Sequence, residues 1–287
     1  MDGVRIDLHT HSTASDGTDT PAELIAKAAA AGLDVVALTD HDTTSGWAEA
    51  AAALPSGLTL VRGMEMSCAG VGDDGYPVPV HLLAYLFDPE DESFALERER
   101  LRGERVVRLR AMAEQMAADG LPVDPDAVMA SVGPSAGRPH LARALVAAGV
   151  VPSVDAAFQD LLAPHGRYYV EKADTPLRRA VEMVAAAGGV SVVAHARARK
   201  RGRLLALDHI RKLAEIGLGG LELDHPDHSA ADREVLAGLA AELGLLTTGS
   251  SDYHGTNKTI RLGEFTTDPA QFEEIVGKAS GVPVITA

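Results

Sequence analysis

Seven short apolar runs alternate with alanine-rich helical patterns along this chain, and that alternation leaves few architectures open. The runs fall at residues 4–8, 35–38, 59–61, 78–83, 190–194, 220–223 and 245–248. Near-continuous apolar strands followed by helices bury both faces of a sheet, which is the pattern of mainly parallel strands joined by crossover helices. Seven such strands predict an α/β fold, a β/α barrel. The first helix can be read residue by residue: Thr20 caps, Pro21 suits the first helical position, Glu23 favours the positive end, and Gly32 ends the helix. Further helices are expected at 45–53, 176–187, 207–216, 230–243 and 269–278, forming an outer layer.

The alternation stops between the fourth and fifth strands. From about residue 90 to 172 the pattern is helical only, with a long charged helix at 97–118, a break at Gly120-Leu121-Pro122, and short helices at 126–131, 139–148 and 154–162. An insertion of this kind caps a domain as a small helical lid. The expected organisation is a barrel formed by 1–89 and 173–287, with 90–172 as the lid.

Composition narrows the function classes. A formal net charge of −15 argues against broad electrostatic adhesion to duplex nucleic acid, although bound divalent cations would turn the field of a cleft positive. The single cysteine, Cys68, rules out an intramolecular disulfide and a thiolate zinc cluster, and fits a reducing cytoplasm. The amino terminus carries no basic segment followed by an apolar stretch, and no run of about eighteen apolar residues occurs, so neither export nor a membrane span is expected.

Chemistry concentrates where strands end. His9 and His11, two apart after the first strand, point to one side and can grip one ion. Asp16 follows in a polar turn, Asp40-His41-Asp42 closes the second strand, Glu65 follows the third, and His81 lies on the fourth. His195 ends the fifth strand, and Asp252 with His254 follow the seventh. Any one of these histidines alone reads equally as a surface or hydrogen-bonded core residue. Six of the eleven at strand ends or in the sheet near them are the arrangement of a multinuclear divalent-metal site, where neutral imidazole nitrogen and anionic oxygen are the ligands.

Through LHTHSTASDGT, ALTDHDT, GMEMS, HLLAY, VVAHA and GSSDYHG, in that order, the chain resembles the polymerase and histidinol phosphatase (PHP) superfamily over nearly its whole length. The resemblance implies a distorted seven-stranded β/α barrel with a trinuclear centre. It places His9, His11, Glu65 and Asp252 on one ion, bridges Glu65 to a second held by His81 and His195, and gives a third to Asp16, His41 and His254. Two or three divalent ions are expected, with manganese, iron or zinc all compatible with the ligands. Asp40 is read as orienting a histidine and Asp42 as a helix cap.

Basic residues indicate what is hydrolysed. Arg138, in Gly137-Arg138-Pro139-His140 at a helix start of the lid, is either a solvent-exposed residue or a bidentate phosphate ligand. The resemblance favours the second, since GRPH-like segments of the nucleotide-phosphatase branch place this arginine on phosphate. After His195 comes a dense basic run, residues 197–203, from which Arg197 or Arg199 is expected to turn inward. His225 or His228, after the sixth strand, could protonate a leaving oxygen or touch the base. Asp252 is expected to serve catalysis as well as an ion. Tyr168-Tyr169 read as core packing or as a base-stacking pair.

The expected activity is metal-dependent hydrolysis of phosphate esters by a metal-activated water. The resemblance points to the 3′-phosphate of nucleoside 3′,5′-bisphosphates or the 5′ end of short RNA. Histidinol phosphate, a cyclic nucleotide phosphodiester, and a noncatalytic metal-binding scaffold are the rivals.

Overall fold

The structure, a computed structural model, describes residues 3–164 and 166–287. Nine strands and ten α-helices occur among them, in the order β1 (Ile6–Thr10), α1 (Pro21–Ala30), β2 (Val35–Leu38), α2 (Trp47–Ala52), β3 (Thr59–Val71), β4 (Pro77–Tyr85), α3 (Glu92–Ala118), α4 (Pro125–Ala130), α5 (Arg138–Ala147), α6 (Val154–Gln159), β5 (Thr175–Pro176), α7 (Leu177–Ala186), β6 (Val190–Val193), α8 (Leu207–Ala214), β7 (Gly220–Asp224), α9 (Ala230–Leu243), β8 (Leu246–Gly249), α10 (Pro269–Lys278) and β9 (Ile285–Thr286). The α1 cap forms as expected: Thr20 Oγ1 accepts from the Glu23 amide at 3.2 Å, and Glu23 returns the bond to the Thr20 amide at 2.8 Å.

The main strands lie side by side as β1-β2-β3-β4-β6-β7-β8. A parallel bridge between Thr10 and Tyr253, with the His11 amide donating to Tyr253 O at 2.8 Å, brings the last strand's exit back to β1, so the barrel-shaped sheet is nearly closed. It departs from the all-crossover expectation in one place. β3 runs to Val71 instead of stopping at Val61, and it pairs antiparallel with β4, which pairs antiparallel with β6. The cause is local: Gly72-Asp73-Asp74-Gly75 closes a tight hairpin, with Gly75 at φ +80° and Gly72 donating to Tyr76 O at 2.9 Å.

Alternation along the strands separates two apolar layers. Val36, Leu38, Met64, Leu82 and Val193 face the helices, packing on Leu24, Ile25, Val181 and Ile210. Val35, Ala37, Val61, Leu83, Tyr85 and Val192 face the other way, closed at one end by α10. Glu65 shares the phase of Val61, and His81 that of Leu83, so both project from this second face. On β1 the register with β2 shifts between Asp7 and Thr10, and His9 and His11, two apart, share one side. The helices α3–α6 form their own core around Leu109, Met112, Met116, Leu141 and Leu145, while the first half of α3 packs Phe94 and Leu101 on the helix-facing layer of the sheet. No helix among the described residues is long and apolar enough to cross a membrane.

Candidate metal centre and substrate cavity

His9, His11, Asp16, His41, Glu65, His81, His195, Asp252 and His254 converge at one end of the sheet, all but His81 buried. Three overlapping groups have ligand atoms within 4.8 Å of one another: His9, His11, Glu65 and Asp252; His11, Asp16, His41 and His254; and His41, Glu65 and His81. His195 Nε2 lies 2.9 Å from Glu65 Oε1, the oxygen that His81 Nδ1 approaches at 2.6 Å. His81 lies on the fourth strand as expected, whereas Glu65 is mid-strand rather than after the third strand, because the hairpin extends past it.

The first group can be tested against an ion. His9 Nε2 and His11 Nε2 stand 3.0 Å apart, each about the same distance from Glu65 Oε2 (3.1 and 3.0 Å) and 3.5 Å from Asp252 Oδ1. Tetrahedral ligands at roughly 2.0–2.2 Å from a divalent ion would be spaced roughly 3.3–3.6 Å, close to this arrangement. His9 Nδ1 donates to Glu222 Oε1 at 3.0 Å, which leaves a lone pair on Nε2 aimed at the shared point. Buried His41 Nδ1 has no hydrogen-bond partner, an orphaned nitrogen that ligation would satisfy. The donors fit divalent ions.

Their charge states agree. Burial disfavours ionisation of Asp16, Glu65 and Asp252, but the imidazoles around them, with Lys258 beside Asp252, outweigh it and hold all three well below the usual carboxylate range. Burial keeps His41 and His254 neutral, the latter at about 4 with help from Lys258 and His11. His9 is the exception: burial opposes its charge, yet Glu65, Asp252 and Glu222 raise its pKa well above the ordinary histidine value. An imidazolium there occupies the electrostatic place of a cation, so ion binding releases its proton.

The backbone is strained at the same place. Among the described residues, the non-glycine positions with positive φ are Asp42, Leu86, His195 and Asp252, and three of these four belong to or adjoin the ligand set. Buried carboxylates brace it. Glu222 takes His9 Nδ1, the His195 amide at 2.7 Å and the Ser250 hydroxyl. Asp7 takes the Ser251 amide and hydroxyl, at 3.1 and 2.6 Å. Asp40 accepts from Ser12 and from Ser15 Oγ at 2.6 Å, and Ser15 Oγ lies 3.5 Å from His11 Nδ1, so its link to that histidine runs through a serine. Asp42 is not a helix cap. Its carboxylate accepts from the Ser67 amide and hydroxyl, both at 2.7 Å, and from Arg105 of α3, which ties the helical segment to the residue beside His41.

Above the ligands opens a cavity of about 940 Å³. Asp16, His41, His81, His195, His225 and His254 line its floor, and Arg105, Arg108, Arg138, Lys172, Lys200, Arg203 and Lys258 line its walls. Arg138 Nη1 donates to Leu162 O at 2.9 Å, and its guanidinium lies over Phe158 and Tyr169, with 5.2 and 5.9 Å to the ring centroids. The tyrosine pair divides: Tyr168 is buried in the helical core, whereas Tyr169 faces the cavity. His225, fully buried, donates from Nε2 to Asp252 Oδ2 at 3.2 Å and accepts the Asp227 amide at Nδ1.

Three expectations about substrate contacts are corrected. Arg197 and Arg199 do not line the cavity; both bond Asp232 at the start of α9, Arg199 Nη2 at 2.7 Å and Arg197 Nε at 3.2 Å. That carboxylate is 1% exposed and needs its charge matched, which fixes the two arginines. His228 is likewise internal, donating from Nδ1 to Leu223 O and accepting the Arg197 amide at Nε2. The wall cations that sequence reasoning did not single out, Arg105, Arg108, Lys172 and Lys258, come from α3 and two loops far apart in sequence. Glu222 did carry a signal: a carboxylate within an apolar strand, at the phase that faces the ligands.

Comparison with known proteins gives the family. The family model for the PHP domain matches residues 7–121. The chain is 34% identical to the 3′,5′-nucleoside bisphosphate phosphatase of Chromobacterium violaceum, over 88% of this chain and 87% of that one. It is 32% identical to a 5′-3′ exoribonuclease of Haemophilus influenzae (91% and 93%) and 35% identical to the phosphoribosyl 1,2-cyclic phosphate 1,2-diphosphodiesterase of Eggerthella lenta (87% and 94%). Among solved structures, a candidate metal-dependent phosphoesterase from Bifidobacterium adolescentis superposes with a TM-score of 0.89 at 37% identity, covering 97% of this chain and 98% of that one. With the ligand set, the barrel and these relatives in agreement, the chain belongs to the PHP family of metal-dependent phosphoesterases.

Proposed function

We propose that this protein removes a phosphate from a phosphorylated nucleotide, with the 3′-phosphate of nucleoside 3′,5′-bisphosphates as the leading substrate and the 5′ end of short RNA as the related one. The observation that carries the reading is a single cavity with metal ligands as its floor and seven cationic side chains on its walls. One phosphate occupies the floor, and a substrate bearing a second anionic group uses the walls. The relatives' activities on bisphosphorylated nucleosides and RNA support it.

His9, His11, Glu65 and Asp252 would hold one ion, Glu65 with His81 and His195 a second, and Asp16, His41 and His254 a third, with manganese, iron or zinc as candidates. Such ions supply an activated water and neutralise phosphate charge. The protein's own groups do the rest. The buried carboxylates fix the imidazoles, and the cations of the cavity wall hold the substrate's second anionic group away from the scissile ester. His225, at the cavity floor, donates from Nε2 to Asp252 and accepts the Asp227 amide at Nδ1, so its part is to orient the Asp252 carboxylate toward its ion. The helices of 90–172 act as a lid on the barrel of 1–89 and 173–287, and the lone buried cysteine, Cys68, suits work in a reducing cytoplasm.

A second reading is cyclic phosphodiester hydrolysis, favoured by the 35% identity to the Eggerthella enzyme. The test is product analysis with manganese-loaded protein on a nucleoside 3′,5′-bisphosphate, a 5′-phosphorylated trinucleotide, phosphoribosyl 1,2-cyclic phosphate and histidinol phosphate. The reading requires the nucleoside 5′-monophosphate and inorganic phosphate as products, and the highest kcat/KM on a nucleotide. Preference for the cyclic ester or for histidinol phosphate overturns it.

A further inference from the structure

On α3, Arg105 and Arg108 sit one turn apart, where the helix passes from the barrel-side core at Leu101 to the lid core at Leu109. The two guanidiniums are used differently. Arg105 is engaged on every side: Nε with Asp42, Nη2 with Ser67 Oγ at 2.7 Å, and Nη1 with Ala136 O at 3.3 Å. Arg108 instead lies over the Tyr169 ring, 4.9 Å from its centroid, and its buried Nε and Nη2 have no hydrogen-bond partner. No carboxylate among the described residues forms an ion pair with it; burial, and then Arg105, disfavour its charge, and the Tyr169 hydroxyl offsets only part of that. A guanidinium stays charged in proteins, so Arg108 is a desolvated cation facing the cavity with Nε and Nη2 unsatisfied and no carboxylate paired to it.

We infer that Arg108, seated on Tyr169, completes a lid subsite for a phosphate that is not hydrolysed, and so sets preference for doubly phosphorylated nucleotides over simple monoesters. The inference rests on the nucleotide reading above and assigns it a residue. Geometry supports a separate position for the second phosphate. Arg105 is tied to Asp42 beside His41, and Arg108 lies three residues further along the helix, about 4.5 Å of axial rise. Arg138 lies over the same Tyr169 ring, so that ring carries two cations at one wall. An anion there offsets charge that the protein itself leaves uncompensated.

The test compares Arg108→Gln and Arg108→Lys with the unaltered, metal-loaded enzyme. Losing a charge-assisted phosphate contact should raise KM for a nucleoside 3′,5′-bisphosphate by about ten- to a hundredfold in Arg108→Gln. Its kcat, and its kcat/KM on p-nitrophenyl phosphate, should stay within about twofold, and Arg108→Lys should recover part of the loss. Because the substitution removes an unpaired charge, Tm should not fall; if the glutamine variant unfolds, the lysine variant carries the comparison. Equal losses on both substrates, or none on either, overturn the inference. Calorimetric binding of adenosine 5′-monophosphate to metal-free protein separates the two proposals. Should the wild type hydrolyse no bisphosphate, the nucleotide reading fails, while weakened binding in Arg108→Gln still upholds the subsite and unchanged binding rejects it.

Discussion

Replacing Glu222 by Gln is the sharpest probe of how this centre is held. The carboxylate is completely buried and receives three donors: His9 Nδ1 at 3.0 Å, the His195 amide at 2.7 Å and the Ser250 hydroxyl. Burial disfavours its charge, yet His225 and His9 more than compensate and keep it ionised. A glutamine has nearly the same shape but one acceptor oxygen, and its amide group would face a donor. At least one of the three partners is then left unsatisfied in a dry site, and the remaining bonds lose their charge assistance. That is worth roughly 1.5–3 kcal/mol. The structure directs the loss at the ions, since freeing His9 Nδ1 allows the tautomer with a proton on Nε2, where a metal lone pair is needed. Orienting partners of this kind are worth about ten- to a hundredfold in metal affinity, in agreement with that energy. The assay is titration of metal-free protein with manganese or zinc against a competing chelator, beside urea unfolding of the same metal-free samples. Affinity should fall about ten- to a hundredfold, with kcat largely restored at saturating metal. An affinity within twofold of wild type, or a loss matched by unfolding of the metal-free chain, would refute the assignment.

Glu65→Gln should abolish turnover with the fold intact, because one carboxylate reaches His9, His11, His41, His81 and His195 and an amide cannot neutralise two cations; near-wild-type hydrolysis by a folded, metal-depleted variant would remove the mechanism. Lys172 lines the cavity with a pKa lowered to about 7, by burial first and then by Arg105, although Asp174 is its direct partner. Its ammonium, and with it a phosphate contact, is lost as pH rises through that value, so KM should worsen between pH 6 and 8 by up to about tenfold relative to Lys172→Met. Substrate phosphate gains charge over part of this range and works in the opposite direction, so the comparison is wild type against variant at each pH; parallel profiles would exclude Lys172.

The convergence of the candidate ligands is legible because their chemistry is local. His9-Thr10-His11, Asp40-His41 and Asp252-Tyr253-His254 each put scarce residue types where an apolar run stops, and strand ends on one face gather. The hairpin is not legible in the sequence, since a strand that continues past Glu65 through Ser67-Cys68-Ala69-Gly70 has too many small residues to stand out from a loop, and the Asp73-Asp74-Gly75 turn does not by itself define the strands on either side. Arg197 and Arg199 misled for a physical reason: a basic run after a ligand looks like a phosphate site, but its direction depends on Asp232, thirty-three residues beyond Arg199, which the fold buries against it. Cavity walls lie outside periodicity altogether. Arg105 and Arg108 sit in a helix crowded with charges, and only packing decides which of them turns inward.

A chain of net charge −15 can still receive a polyanion because its negative charge is spent where it is needed. Glu222 and Asp7 are consumed by histidine, serine and amide donors, Asp16, Glu65 and Asp252 lie among the candidate ligands, and Asp155, Asp174 and Asp227 are the carboxylates on the cavity's lining beyond them. The walls are another matter: seven cationic side chains face inward, within low-dielectric surroundings that focus their effect. Arg105 joins the two regions. Its bond to Asp42 neutralises a buried carboxylate next to His41 while holding α3, and therefore Arg108, over the floor. Removing either partner would leave the other's buried charge uncompensated, a cost of roughly 3–5 kcal/mol. Helix α3 is thus fixed to the loop that carries His41 by the same kind of electrostatics that braces the candidate ligands, and on the proposed reading the spacing between hydrolysed and retained phosphates would follow from that one helix.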